Sequence, residues 1–130
     1  MAESDTVSAP HKPLVLIVED DEVLLTLLLE VIQEAGADGA CASTADEGLR
    51  ALEGRSDIAL LLTDVRTPGR LSGWDLAAAA YQRSPTLPVI IMSGYSYQPG
   101  STLPPSACFI HKPCPLDTLT RLVKERLSMG

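Results

Sequence analysis

Ile58-Ala59-Leu60-Leu61-Leu62-Thr63-Asp64-Val65-Arg66-Thr67-Pro68-Gly69 is the stretch whose reading decides the fold. It opens as an unbroken apolar run and stops at an aspartate. A short apolar run bounded by turn residues predicts a strand buried on both faces. Asp64 stands at its C-terminal end, and Pro68-Gly69 turns the chain away. In an open parallel α/β sheet that end is where ligands and chemistry are placed.

Working outward, residues 14–18 form a second apolar strand, which ends in Glu19-Asp20-Asp21. Residues 37–42 make a weak strand of small residues, suited to a sheet edge. Residues 88–92 make a fourth strand, ending in Ser93-Gly94-Tyr95, and 108–110 a fifth, followed by His111-Lys112-Pro113. Between the strands lie helical patterns. The first runs over 22–35, with Asp20 or Asp21 as N-cap and Gly36 as stop. Thr44-x-x-Glu47 reads as a capping box for a second, running to Glu53 and closed by Gly54. Ser72 caps a third over 73–83, whose alanine run at 77–80 allows close packing, and 115–129 forms the last. Strands alternating with helices imply a parallel sheet covered on both faces, with all strand C-termini on one edge.

The first helix carries more apolar residues than one face needs. Leu24, Leu27, Leu28, Val31, Ile32 and Ala35 give the inward face. Leu25 and Leu29 fall on its flank, either as the margin of a wide core stripe or as an apolar ridge for a partner or a second copy.

The bulk numbers narrow the function. A chain of 130 residues predicts one domain, and the apolar fraction of 45% is ordinary for a soluble protein. Residues 1–12 read as a disordered tail. A net charge of -7 argues against a nucleic-acid surface, which needs clustered Lys and Arg. The longest greasy stretch, 23–32, is too short to cross a bilayer, and nothing resembles a signal peptide. Cys41, Cys108 and Cys114 form no C-x-x-C pair, so they predict reduced thiols in a cytoplasmic protein rather than a zinc site.

The strand ends bring Glu19, Asp20, Asp64, Ser93 and Lys112 to one rim. Three carboxylates repel one another unless a cation joins them. Hard oxygen ligands suit Mg2+, and a lysine in the same pocket can hold a phosphoryl oxygen as a point charge. The set suits metal-assisted chemistry of a phosphoryl group on a carboxylate. An acid after a strand is often no more than a helix cap; four successive strand ends each delivering a polar group carry the functional reading.

Leu16-Ile17-Val18-Glu19-Asp20-Asp21, Leu62 to Gly69, Ile91-Met92-Ser93-Gly94-Tyr95 and Phe109-Ile110-His111-Lys112-Pro113 resemble, in order and spacing, the receiver domain of bacterial two-component response regulators. The likeness covers residues 13–129. It implies a flavodoxin-like, doubly wound, five-stranded parallel sheet of order 2-1-3-4-5 flanked by helices. It implies that Asp64 is the phosphoacceptor for a phosphohistidine on a histidine kinase or a histidine phosphotransfer protein, and that the domain is not a turnover enzyme. Mg2+ would be held by Asp20, Asp64, the Arg66 backbone carbonyl and, through water, Glu19. Lys112 would pair with the acyl phosphate. Ser93 and Phe109 would be the switch pair, and Arg66 and Tyr95 would tune phosphoryl lifetime.

The sequence also departs from that pattern. The loop 68–73 carries one residue more than the commonest version, and loops like it occur in hybrid-kinase receivers. Pro99, Gly100, Pro104 and Pro105 in 96–107 predict a short or irregular connection in place of the family's fourth helix. An aspartyl-phosphate hydrolase needs a second aspartate two residues after the first, where Arg66 stands. A pseudo-receiver, acting only as a binding adaptor, is the remaining alternative.

Overall fold

Five strands follow in chain order: β1 (Leu14–Val18), β2 (Asp38–Ala42), β3 (Ile58–Asp64), β4 (Val89–Ser93) and β5 (Ala107–His111). Four helices, α1 (Glu22–Glu34), α2 (Ala45–Gly54), α3 (Gly73–Arg83) and α4 (Leu116–Met129), complete the computed structural model, which describes residues 12–94 and 103–129. The sheet order is β2-β1-β3-β4-β5 and every pairing is parallel. This is the doubly wound order that the resemblance to receiver domains implies. The most apolar runs, β1, β3 and β4, take the centre, and the weak β2 lies at an edge.

Alternation along each strand sorts the core into two layers. Val15, Ile17, Leu60, Leu62, Ile90 and Met92 face one layer, which Leu28, Val31 and Ile32 of α1 and Leu119 and Val123 of α4 close. Leu16, Val18, Leu61, Val89 and Ile91 face the other, closed by Leu52 of α2 and by Leu76, Ala77 and Ala80 of α3. Both faces of the central strands are therefore dry, and the polar residues left to them lie at the strand ends.

The helix starts are built as their cap residues require. Asp21, not Asp20, caps α1, accepting from Val23 N at 2.9 Å and Leu24 N at 3.0 Å. That leaves the Asp20 carboxylate for other work. Ser72 and Asp75 make a reciprocal capping box on α3. At α2 the expected box is only half made. Thr44 accepts from Glu47 N, but the Glu47 carboxylate turns to Ser43 instead, taking both its backbone N–H and its hydroxyl.

The outward face of α1 differs from expectation. Leu27, read as inward, is exposed, and Val23 is more so. Leu25 and Leu29, read as a possible partner face, are half-buried against the layer under α1. Leu29 leans on β2, where a Cβ at Gly39 would meet its Cδ2 at 2.7 Å. The apolar side chains that α1 offers to solvent are Val23 and Leu27, one helical turn apart.

The tail 1–11 and most of the Pro- and Gly-rich connection, residues 95–102, lie outside the described residues. The described remainder, 103–106, is a turn and not a helix. Among the described residues no helix is long and apolar enough to cross a membrane.

Candidate functional site

Glu19 continues the alternation of Val15 and Ile17, Asp64 that of Leu60 and Leu62, and Lys112 that of Cys108 and Ile110. The same parity at three strand ends brings the three side chains together. Lys112 Nζ donates to Asp64 Oδ2 at 3.1 Å and stands 3.6 Å from Glu19 Oε1. Glu19, Asp20 and Asp64 each offer a carboxylate oxygen, and these oxygens lie within 4.8 Å of one another. The sequence expectation that these four residues meet is met in the structure. Lys112 is held in place by its own backbone, whose N–H donates to Ser93 O at 2.7 Å.

The carboxylates are not equivalent. Asp20 is exposed, Asp64 half-buried, and the Glu19 side chain only 3% exposed. Burial pushes the Glu19 carboxyl above its ordinary range. The Asp21 N–H on its Oε2 and the Lys112 charge oppose that shift, while Asp64 and Asp20 add to it. Repulsion between carboxylates is thus real but secondary to desolvation.

The residues fit a small hard cation. Among the described residues Glu19 Oε1 is buried without a hydrogen-bond partner, a costly state for a charged oxygen. Lys112 sets one positive charge against Glu19 and Asp64, with the Asp20 carboxylate beside them. Oxygen donors from two or three acids, with room for water and phosphate, are the donor set of Mg2+.

On the other side of Asp64 lies a cavity of about 430 Å³, walled by Val65, Arg66, Gly69, Leu71, Trp74 and Ser93 among others. Ser93 is buried and follows Val89 and Ile91 on the α2/α3 face of the sheet. Phe109, half-buried on β5, stacks on Trp74 with ring centroids 5.7 Å apart and planes 5° from parallel. The two proposed switch residues therefore share the α3 side of the sheet. Tyr95 lies outside the described residues.

Two residues that brace this loop were given no role in the sequence reading. Gly73 opens α3 where the helix meets β3, and its N–H donates to Val65 O at 2.8 Å. A Cβ there would run into the Asp64 carbonyl oxygen, so glycine is required. Asp46, in the first turn of α2, accepts from Arg70 N at 3.1 Å and Leu71 N at 3.0 Å. Beside it Thr67 Oγ1 accepts from Ala45 N at 3.0 Å. The loop turns at Gly69, whose φ is +108°.

A family model described as the response regulator receiver domain matches residues 15–124. The chain belongs to the response regulator receiver family. The DNA-binding transcriptional regulator NtrC of Salmonella typhimurium is 31% identical over 126 residues, covering 91% of this chain and 25% of that protein. The chain thus spans a quarter of the length of that curated relative. Among solved structures, a CheY-like receiver domain protein from Methanospirillum hungatei JF-1 superposes with a TM-score of 0.80 at 28% identity, covering 92% of this chain and 95% of that one. The receiver domain of the hybrid histidine kinase CckA does so with a TM-score of 0.73 at 29% identity, covering 88% and 98%. As a receiver the domain takes its place in two-component signalling.

Proposed function

We propose that the domain is a phosphoacceptor in which Asp64 takes a phosphoryl group from a phosphohistidine of a histidine kinase or a histidine phosphotransfer protein. The observation that carries this reading is the convergence of the buried Glu19 carboxylate with Asp20 and Asp64, whose oxygens lie within 4.8 Å of one another, with Lys112 Nζ on Asp64 Oδ2 at 3.1 Å. A carboxylate oxygen of Asp64 attacks phosphorus, the P–N bond breaks, and the imidazole nitrogen leaves with the bonding pair and takes a proton. Lys112 holds an equatorial phosphoryl oxygen as charge moves across. Glu19, Asp20 and Asp64, with the Arg66 carbonyl, would hold Mg2+, which supplies charge neutralisation at the phosphoryl oxygens. Arg66 and Tyr95, two residues beyond Asp64 and Ser93, set the lifetime of the acyl phosphate.

The acyl phosphate adds charge beside Ser93, and its pull on that hydroxyl biases the Ser93 and Phe109 side of the sheet toward a second state. The domain assists its own phosphorylation and dephosphorylation in the cytoplasm and turns over no separate substrate. Its docking face for the phosphohistidine partner, or for a second copy, includes the rim of α1 with Val23 and Leu27 outward. Incubation with acetyl phosphate should add one phosphoryl group to the chain with Mg2+ and none with the metal chelated. Labelling that ignores Mg2+ would contradict the metal assignment, and no labelling at all would leave the adaptor reading.

A further inference from the structure

The loop from Val65 to Ser72 is the main wall of the cavity beside Asp64, and it carries the Arg66 carbonyl. Its first residue is tied to the sheet, Val65 N–H donating to Met92 O at 3.0 Å, although β3 itself ends at Asp64. Further along, the loop is anchored from a neighbouring helix start. Asp46 takes the N–H groups of Arg70 and Leu71 on a single oxygen, and Thr67 takes the N–H of Ala45. These contacts bridge 22 to 25 residues of sequence, so they fix the loop against α2 rather than shaping it locally. Gly69 makes the fit possible. Its φ of +108° lies in the left-handed region, and a Cβ there would stand 2.8 Å from Asp46 Oδ1. The aspartate therefore occupies the space that a loop side chain would take.

We propose that Asp46 is a positioning residue for the metal site. By clamping the loop at Arg70 and Leu71, it holds the Val65–Thr67 backbone in the place where it completes the coordination of a cation bound by Glu19, Asp20 and Asp64. Asp46 touches neither the cation nor the phosphoryl group. The proposal rests on the reading of the acidic cluster as a Mg2+ site. It adds a control on that site from α2, an element that contributes none of the proposed ligands.

The test is titration of the whole domain with Mg2+ alone, followed by the fluorescence of Trp74, the one tryptophan of the chain and part of the cavity wall. Asp46→Ala should weaken Mg2+ binding about tenfold, the size expected when a ligand loses its supporting contact. Asp46→Asn keeps an acceptor oxygen in the same place and should restore binding to within about twofold of wild type, still on that supporting-contact logic. Gly69→Ala should weaken binding as Asp46→Ala does. The double variant should be no weaker than either single one, because both break the same clamp. In metal-free protein, amide exchange at Leu71 should speed up in Asp46→Ala while exchange in β1 and β3 stays slow, which separates loop release from general unfolding. Wild-type affinity in Asp46→Ala, or losses that add in the double variant, would overturn the clamp. A wild-type domain that binds no Mg2+ would instead overturn the metal site beneath it.

Discussion

The two sides of Asp64 are built in opposite ways. Toward β1 lies the acidic pocket, where Glu19 is buried, its Oε1 has no hydrogen-bond partner among the described residues, and Lys112 pairs with Glu19 and Asp64 while Asp20 stands beside them. Toward α3 lies the loop of Val65 to Ser72, where Asp46, Thr67 and Ser72 meet backbone N–H groups and Gly73 seats the helix on the strand. One side is left short of positive charge; the other is a finished frame. The contrast teaches that the unmet demand of the site is electrostatic and lies in side chains, while the loop beside it is tied down through Val65, Arg70, Leu71 and Gly73.

The largest expected effect separates the two sides. Lys112→Ala should slow phosphoryl transfer by about 100- to 1,000-fold, the usual loss for a preorganised charge in a transition state. It should not weaken Mg2+ binding, because it removes a positive charge from beside the ligands. A parallel loss of metal affinity would mean that Lys112 orders the pocket rather than serving the phosphoryl group. Gly73→Ala acts on the frame instead. Its Cβ would meet the Asp64 backbone, and chemical denaturation should show a loss of about 2–3 kcal/mol, in the range of forced backbone shifts. Wild-type stability in that variant would show that the frame is softer than its contacts imply.

Glu19 gives a pH signature. Because burial raises its carboxyl above the ordinary range, the folded domain retains a proton there that the unfolded chain has already released. Stability of the metal-free domain should therefore fall as pH rises from the ordinary glutamate value through the raised one, and stay lowered above it. Glu19→Gln removes that penalty. At neutral pH without metal it should melt about 4 °C higher than wild type, what ~1 kcal/mol does in a domain of this size. The two should converge in acid, and Mg2+ should stabilise the variant less. Equal melting points at neutral pH would show that Lys112 already compensates the buried charge. Smallest is Thr44→Ala, which removes the α2 cap and should cost about 1 kcal/mol in thermal unfolding while leaving Asp46 in place.

Much of this was legible before any coordinates. Apolar runs show where β1, β3 and β4 lie, because strands buried on both faces keep their few polar residues near their ends. Their ends name Glu19, Asp20, Asp64 and Ser93 because those residues break the runs, and Lys112 follows the fifth run. The rest is hidden for physical reasons. Around α1 the leucines at 24, 25, 27, 28 and 29 go most of the way round the helix, so periodicity cannot set its phase. The result is that Leu27 faces out and Leu25 and Leu29 face in. Asp46 looks like one more acid at a helix start, since its role depends on a loop 24 residues away. Gly73 looks like a turn residue; that a carbonyl from β3 fills the space of its side chain appears only once the strand and helix are assembled.

The central claim is that Asp64 is the one acceptor at this rim. Intact-mass analysis of the wild-type domain and of Asp64→Asn, each incubated with acetyl phosphate and Mg2+, tests it most directly. The account predicts a gain of one phosphoryl group on the wild type and none on Asp64→Asn. The same gain on both proteins, or on neither, would contradict it.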